Sequence, residues 1–137
     1  MTVSRLLVCT RCRAPGADPE APRAGAALLA ALASRPLPKG VTLAGVACMS
    51  GCKRACAAAL AAPGKITYLF GDLAADAASV ADLHAVAAAH RADPLGHLPR
   101  ATRPERLRAG ILARVPPLHL LPSGGAPGAP PVVTWPG

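Results

Sequence analysis

Aromatic side chains are almost missing from this chain: one Trp, one Tyr and one Phe in 137 residues. Single-stranded nucleic acids are held by stacking bases on aromatic rings along a positive groove, so the net charge of +8 is not expected to serve nucleic-acid binding. Acidic residues are scarce too, seven against fifteen Lys and Arg, and this surplus suits an acidic protein partner better. Long apolar runs are lacking. The longest helical one, Ala24 to Ala33, is about half of what a bilayer crossing needs, and Leu6-Leu7-Val8 is too short for a secretory apolar core. No membrane association is expected, and the expected location is the cytoplasm. With so few aromatics the core must be made of Leu, Val, Ile and Ala. Such a core is thin, so a bound metal group, which can supply on the order of 10 kcal/mol of folding free energy, would matter more than in a larger core.

What the chain does have is clustered sulfur. All five cysteines fall in two short runs, Cys9-Thr10-Arg11-Cys12 and Cys48-Met49-Ser50-Gly51-Cys52-Lys53-Arg54-Ala55-Cys56. In a reducing compartment, paired cysteines point to metal binding or redox catalysis and away from structural disulfides. Spacings of C-x2-C and C-x3-C let two sulfurs reach one tetrahedral centre, and Gly51 gives the second loop backbone freedom to wrap one. Four sulfurs from the two loops, Cys9, Cys12, Cys48 and Cys52, suit a four-thiolate zinc site or a four-thiolate iron-sulfur cluster equally. Cys56, four residues beyond Cys52, would share its face on a helical turn and stand as an alternate ligand or a spare thiol. Arg11, Arg13, Lys53 and Arg54 flank the loops. Cations there depress thiol pKa values, offset the negative charge of a thiolate-bound centre and offer a docking surface.

The apolar pattern predicts an α/β domain. Val3 to Val8 reads as a buried strand and Cys9 to Pro22 as a Pro- and Gly-punctuated loop. Arg23 to Ser34 reads as a helix with Leu28 and Leu32 on one face, stopped by Pro36, Pro38 and Gly40. Val41 to Ala47 is a second strand running into Cys48. Strand, helix, strand implies a parallel, right-handed crossover in about 98% of cases, which brings Cys9 and Cys48 out at the same edge of the sheet. Ala57 to Ala62 and Lys65 to Gly71, separated by Pro63-Gly64, read as a hairpin with Ile66, Tyr68 and Phe70 on one face. Ala75 to Arg91 is a helix capped at Asp76 or Ser79, with Val80, Leu83 and Ala87 as its stripe. Pro104 to Arg114 is expected to form a short helix using Leu107, Ile111 and Leu112. The domain is expected over residues 1–92, a basic extension packed on it over 93–117, and a disordered tail over 118–137. His84 and His90 are expected to be surface or satisfied histidines, and Asp72 a turn or cap residue.

The order of these elements, with cysteines after the first and second strands, then a hairpin and a helix, resembles the thioredoxin-like [2Fe-2S] ferredoxins. More closely, Cys48 to Cys56 followed by Gly64-Lys65-Ile66-Thr67-Tyr68-Leu69-Phe70-Gly71-Asp72-Leu73, and later Arg103-Pro104 through Arg114-Val115-Pro116-Pro117, resembles the bacterial family called domain of unknown function 1636, described as predicted metal-binding proteins. The resemblance covers roughly Leu6 to Pro117. It implies a thioredoxin-like mixed sheet with a Pro- and Arg-rich C-terminal extension, and a cluster bound by Cys9, Cys12, Cys48 and Cys52. Near Ala21 or Pro22, where the ferredoxin pattern places its second ligand, this chain has no thiol. Cys56 stands where those ferredoxins commonly have a Gly-Pro pair.

The expected function is therefore a non-enzymatic, ferredoxin-like protein carrying a [2Fe-2S] cluster for one-electron transfer or redox sensing, with an acidic redox partner protein. The alternatives are a four-cysteine zinc-binding or metal-delivery protein, and a thiol-disulfide oxidoreductase using Cys9-Thr10-Arg11-Cys12.

Overall fold

The computed structural model describes residues 2–123, 128 and 130–137. Its elements are β1 (Ser4–Cys9), α1 (Ala24–Ala33), β2 (Val41–Val46), β3 (Ala58–Ala61), β4 (Thr67–Phe70), α2 (Ala77–Ala92), α3 (Glu105–Ala109) and β5 (Ile111–Val115). The strands form one mixed sheet in the order β2-β1-β3-β4-β5. β1 and β2 run parallel, with Leu6 opposite Leu43 and Cys9 opposite Val46. The remaining pairs are antiparallel.

Burial follows the two periods of the sequence. In β1 Ser4, Leu6 and Val8 point inward, and in the hairpin Ile66, Tyr68 and Phe70 do so with no more than 1% exposure. Leu28 and Leu32 of α1 are both fully buried, as are Leu83 and Ala87 of α2, with Val80 and Val86 close behind. Helices α1 and α2 pack against each other and both lie on β1 and β2. Asp76 caps α2, its carboxylate accepting from the Ser79 N–H at 2.7 Å, which satisfies one of the free donors at a helix start. Ala58 and Ala59 in β3 are nearly inaccessible, so the sheet centre is closely covered with little side-chain volume.

Two expectations need correction. The segment 104–114 is not one helix. It is the five-residue α3, ended at Gly110, followed by β5, which pairs with β4 across an irregularity at Leu69/Phe70. Gly110 approaches the backbone closely: a Cβ there would stand 2.7 Å from the Gly71 carbonyl oxygen. Leu107 remains on the buried helix face, while Ile111 and Leu112 join the sheet edge. Cys52 and Cys56 do not share a helical face either. Only a 3-10 turn, Cys52–Arg54, forms. Beyond it Cys56 pairs through its backbone with Leu73, N–H to carbonyl in both directions at 3.0 and 3.2 Å.

Of the segment expected as a tail, residues 124–127 and 129 lie outside the described residues. Further on, Trp135 packs against Arg114, whose guanidinium carbon sits 4.2 Å from the ring centroid. Among the described residues no helix is long and apolar enough to cross a membrane.

Candidate metal centre

Both cysteine loops leave the same end of the parallel pair. Cys9 closes β1, its N–H donating to the Ala57 carbonyl at 3.0 Å, and Thr10 donates to the Val46 carbonyl at the end of β2. The first turn of α1 lies directly on this loop. The Gly25 N–H donates to the Cys12 carbonyl at 3.0 Å, and a Cβ on Gly25 would stand 1.9 Å from the Cys9 carbonyl oxygen. Only glycine fits there, which is why α1 can seat against Cys9 and Cys12.

The second loop turns through two non-glycine residues with positive φ, Cys48 at 76° and Ser50 at 58°. Such geometry is uncommon and is held where surrounding contacts over-determine it. Here the turn delivers the Met49 N–H to the Cys9 sulfur at 3.4 Å. Gly51 lies so close to Ala57 that a Cβ would approach its methyl to 2.8 Å. The far end of the loop is clamped by the turn after β4: Asp72 N–H donates to the Arg54 carbonyl at 2.7 Å, and the Asp72 carboxylate receives the Arg54 guanidinium at 2.9 and 3.1 Å through Nε. Asp72 is therefore a turn residue holding the cysteine loop, with φ of 59°.

The five thiols fall into two sets. Cys9, Cys12 and Cys56 are each 1% exposed, whereas Cys48 and Cys52 face solvent. Burial alone would push the Cys9 thiol up, but the N–H groups of Met49 and Arg11, reinforced by Cys12, outweigh it and bring it below the usual thiol value. Burial pushes Cys12 up to about 11 against the opposing Ala57 N–H, with the charge on Cys9 adding to the rise. Cys56 is raised by burial and then by Cys9. The fold thus stabilises the thiolate of Cys9, while burial disfavours the charged form of Cys12 and Cys56.

Among the described residues no three His, Cys, Asp or Glu side chains are gathered in a metal-holding arrangement. The donor chemistry nevertheless fits a thiolate-bound centre. Soft sulfur ligands select zinc or iron-sulfur clusters, and backbone N–H groups directed at a ligating sulfur are a standard means of stabilising it. The residues that would hold it are Cys9 and Cys12 from one loop and Cys48 and Cys52 from the other, with Cys56 behind them. Of the basic neighbours expected around the sulfurs, Arg11 and Arg13, joined by Arg23, line a cavity of about 320 Å³ that also touches Cys52, and Lys53 and Arg54 line another beside Cys52.

Sequence reasoning placed the loops but missed the burial of Cys56, which rests on its tertiary pairing with Leu73. Of the two helix histidines only His90 falls as expected; His84 is half-buried and its Nε2 has no hydrogen-bond partner among the described residues. His90 is buried and satisfied, accepting from the Ser4 hydroxyl at Nδ1 and donating from Nε2 to the Ile66 carbonyl, each at 2.7 Å.

A mixed sheet with two helices packed on its parallel pair, and cysteines at the ends of those strands, defines a thioredoxin-like α/β protein with a thiol-bearing rim. Residues 6–117 match the family described as "Protein of unknown function (DUF1636)", and the chain belongs to that family. Among solved structures it is similar to a thioredoxin-like [2Fe-2S] ferredoxin from Aquifex aeolicus, with a TM-score of 0.52 and 14% identity over 85% of this chain and 96% of that one. At that identity the likeness concerns the fold. No curated protein matches the chain.

Proposed function

We propose that this protein binds a [2Fe-2S] cluster through thiolates of its two rim loops and exchanges single electrons, or senses redox state, without catalysing a bond-making reaction. One observation carries the reading: sequence-distant cysteine loops meet at one rim, the Met49 N–H of the second loop resting on the Cys9 sulfur of the first. When bound, such a cluster supplies one-electron chemistry. The chain's own residues do the rest. The fold favours Cys9 as a thiolate, α1 and Gly25 hold the first loop rigid, and the Arg54–Asp72 pair steadies the second. Arg11, Arg13 and Lys53, exposed around the rim, would receive an acidic redox partner protein. Localisation in the cytoplasm agrees with reduced thiols. The same four sulfurs could hold zinc.

A second reading has its own support. Cys9 is lowered and Cys12 raised, side by side in C-x2-C order. In a thiol-disulfide oxidoreductase the Cys9 thiolate would attack a substrate disulfide and release one thiolate. Cys12 would then displace the second, leaving the substrate reduced and Cys9–Cys12 oxidised.

Anaerobic purification with metal analysis and an absorption spectrum separates the readings. About two irons per chain with visible charge-transfer bands is the expected result. A colourless protein with one zinc favours the zinc site. A metal-free chain that reduces insulin disulfides overturns both metal readings.

A further inference from the structure

The basic stretch at the C-terminal side is not simply a solvated arm. Arg106 is engaged by acids, with Asp76 at 3.8 Å and Asp82 at 3.7 Å. Arg103 is different: it is 8% exposed, its Nε has no hydrogen-bond partner, and Nη1 reaches only the Leu107 carbonyl at 3.4 Å. Among the described residues, neither Arg103 nor Arg114 takes part in an ion pair. A guanidinium stays protonated in proteins, and a buried cation without a counter-charge is costly. Burial pushes the Arg103 pKa down; the Tyr68 phenol opposes this, and Arg100, Arg114 and Arg108 add to it.

Arg103 lines a cavity of about 190 Å³ together with Arg114, Tyr68, Leu98 and the strand β5, roughly the liquid volume of six waters. No carboxylate side chain lines it. The Tyr68 hydroxyl accepts the Leu98 N–H at 2.9 Å, which leaves its proton free to donate. Gly137 sits at the edge of the cavity, its carbonyl oxygen held by His97 Nε2 at 2.9 Å. Arg103, Arg114, whose Nη1 also donates to the Pro136 carbonyl, and the Tyr68 hydroxyl therefore line a small space that no acidic side chain enters.

We propose that this cavity is a binding site for a phosphate group, held by Arg103 and Arg114 with the Tyr68 hydroxyl as a third donor. Planar guanidiniums pair with phosphate oxygens through two parallel hydrogen bonds, and a bound dianion would supply the counter-charge that Arg103 lacks. The proposal is independent of the cysteine rim.

The test titrates the full chain with inorganic phosphate at constant ionic strength, with acetate as the carboxylate arm and chloride as the baseline, followed by calorimetry and thermal unfolding. Saturable phosphate binding and a rise of about 4 °C in Tm at ten times Kd are expected. Arg103→Met should abolish the saturable response, and Arg114→Gln should weaken binding about tenfold. Should Arg103→Met not fold, Arg114→Gln and the wild-type titration decide. Absence of saturable binding up to roughly 10 mM phosphate, a response in Arg103→Met equal to that of wild type, or a preference for acetate would each overturn the phosphate site.

Discussion

Ser4 at the start of β1 and Cys9 at its end are both buried, at 0% and 1% exposure, yet their surroundings differ in kind. At the first end the buried Ser4, His90 and Lys65 side chains all have partners. Ser4 donates to His90, His90 donates to Ile66, and the buried Lys65 ammonium spans the His90 and Arg91 carbonyls at 2.9 and 2.7 Å, where a cation complements the end of α2. At the other end three thiols are buried while two more face water. The closed end is finished as protein alone. The open end carries the thiols proposed above as ligands, so structure and function can be perturbed separately.

The largest expected effect on stability falls at the closed end. His90→Ala would leave the Ser4 hydroxyl and Ile66 carbonyl unpaired beside a cavity, costing about 3 kcal/mol in urea unfolding while metal content per folded chain stays unchanged. Loss of metal in that variant would show that the two ends are not independent.

A smaller effect comes with pH. His90 is held below its usual pKa, first by burial and with Lys65 adding, against the Ile66 carbonyl and Asp93. The unfolded chain therefore binds the extra proton first. The stability from neutral His90 is fully present above about pH 6.5 and is lost as pH falls toward the folded value, with a slope of at most about 1.4 kcal/mol per pH unit. Unfolding curves across that range should show the slope in wild type and lose it in His90→Ala.

Reactivity sharpens the contrast at the open end. In metal-depleted protein a bulky maleimide should label the exposed Cys48 and Cys52 first, and the buried Cys12 and Cys56 about tenfold or more slowly, since these wait for local opening. Peptide mapping by mass spectrometry reads the order, and uniform labelling would remove the division into two thiol sets. The smallest effect belongs to Asp72→Asn. Its pair with Arg54 is about half exposed on both sides, and such pairs contribute little. Melting should barely move, while labelling of Cys52 quickens as the clamp loosens.

Much of this was legible in sequence because it rests on local rules. Alternation over residues 66–70, the Leu28–Leu32 spacing and the Pro-Gly punctuation each marked an element that formed. The parallel β1–β2 pair then followed from connectivity and placed Cys9 and Cys48 at one edge. What stayed hidden depends on partners distant in sequence. Leu107, Ile111 and Leu112 fit a helical stripe, and β5 exists because Ile111 to Val115 completes the free edge of β4; Gly110 was the available sign of the break. Cys56 is buried through Leu73, and nothing in the spacing of arginines distinguished Arg103 from its less buried neighbours.

Iron per chain in two double variants, Cys9→Ser/Cys12→Ser and Cys48→Ser/Cys52→Ser, measured beside anaerobic wild type, bears most directly on joint ligation by the two loops. Each variant keeps three of the five cysteines, fewer than the four thiolates a cluster of this type needs. Both should fall to about a tenth of the wild-type iron or less, with the fold retained by circular dichroism. A full complement of iron in either one would contradict the account, because the centre would then be held without one of the two cysteine pairs assigned to it.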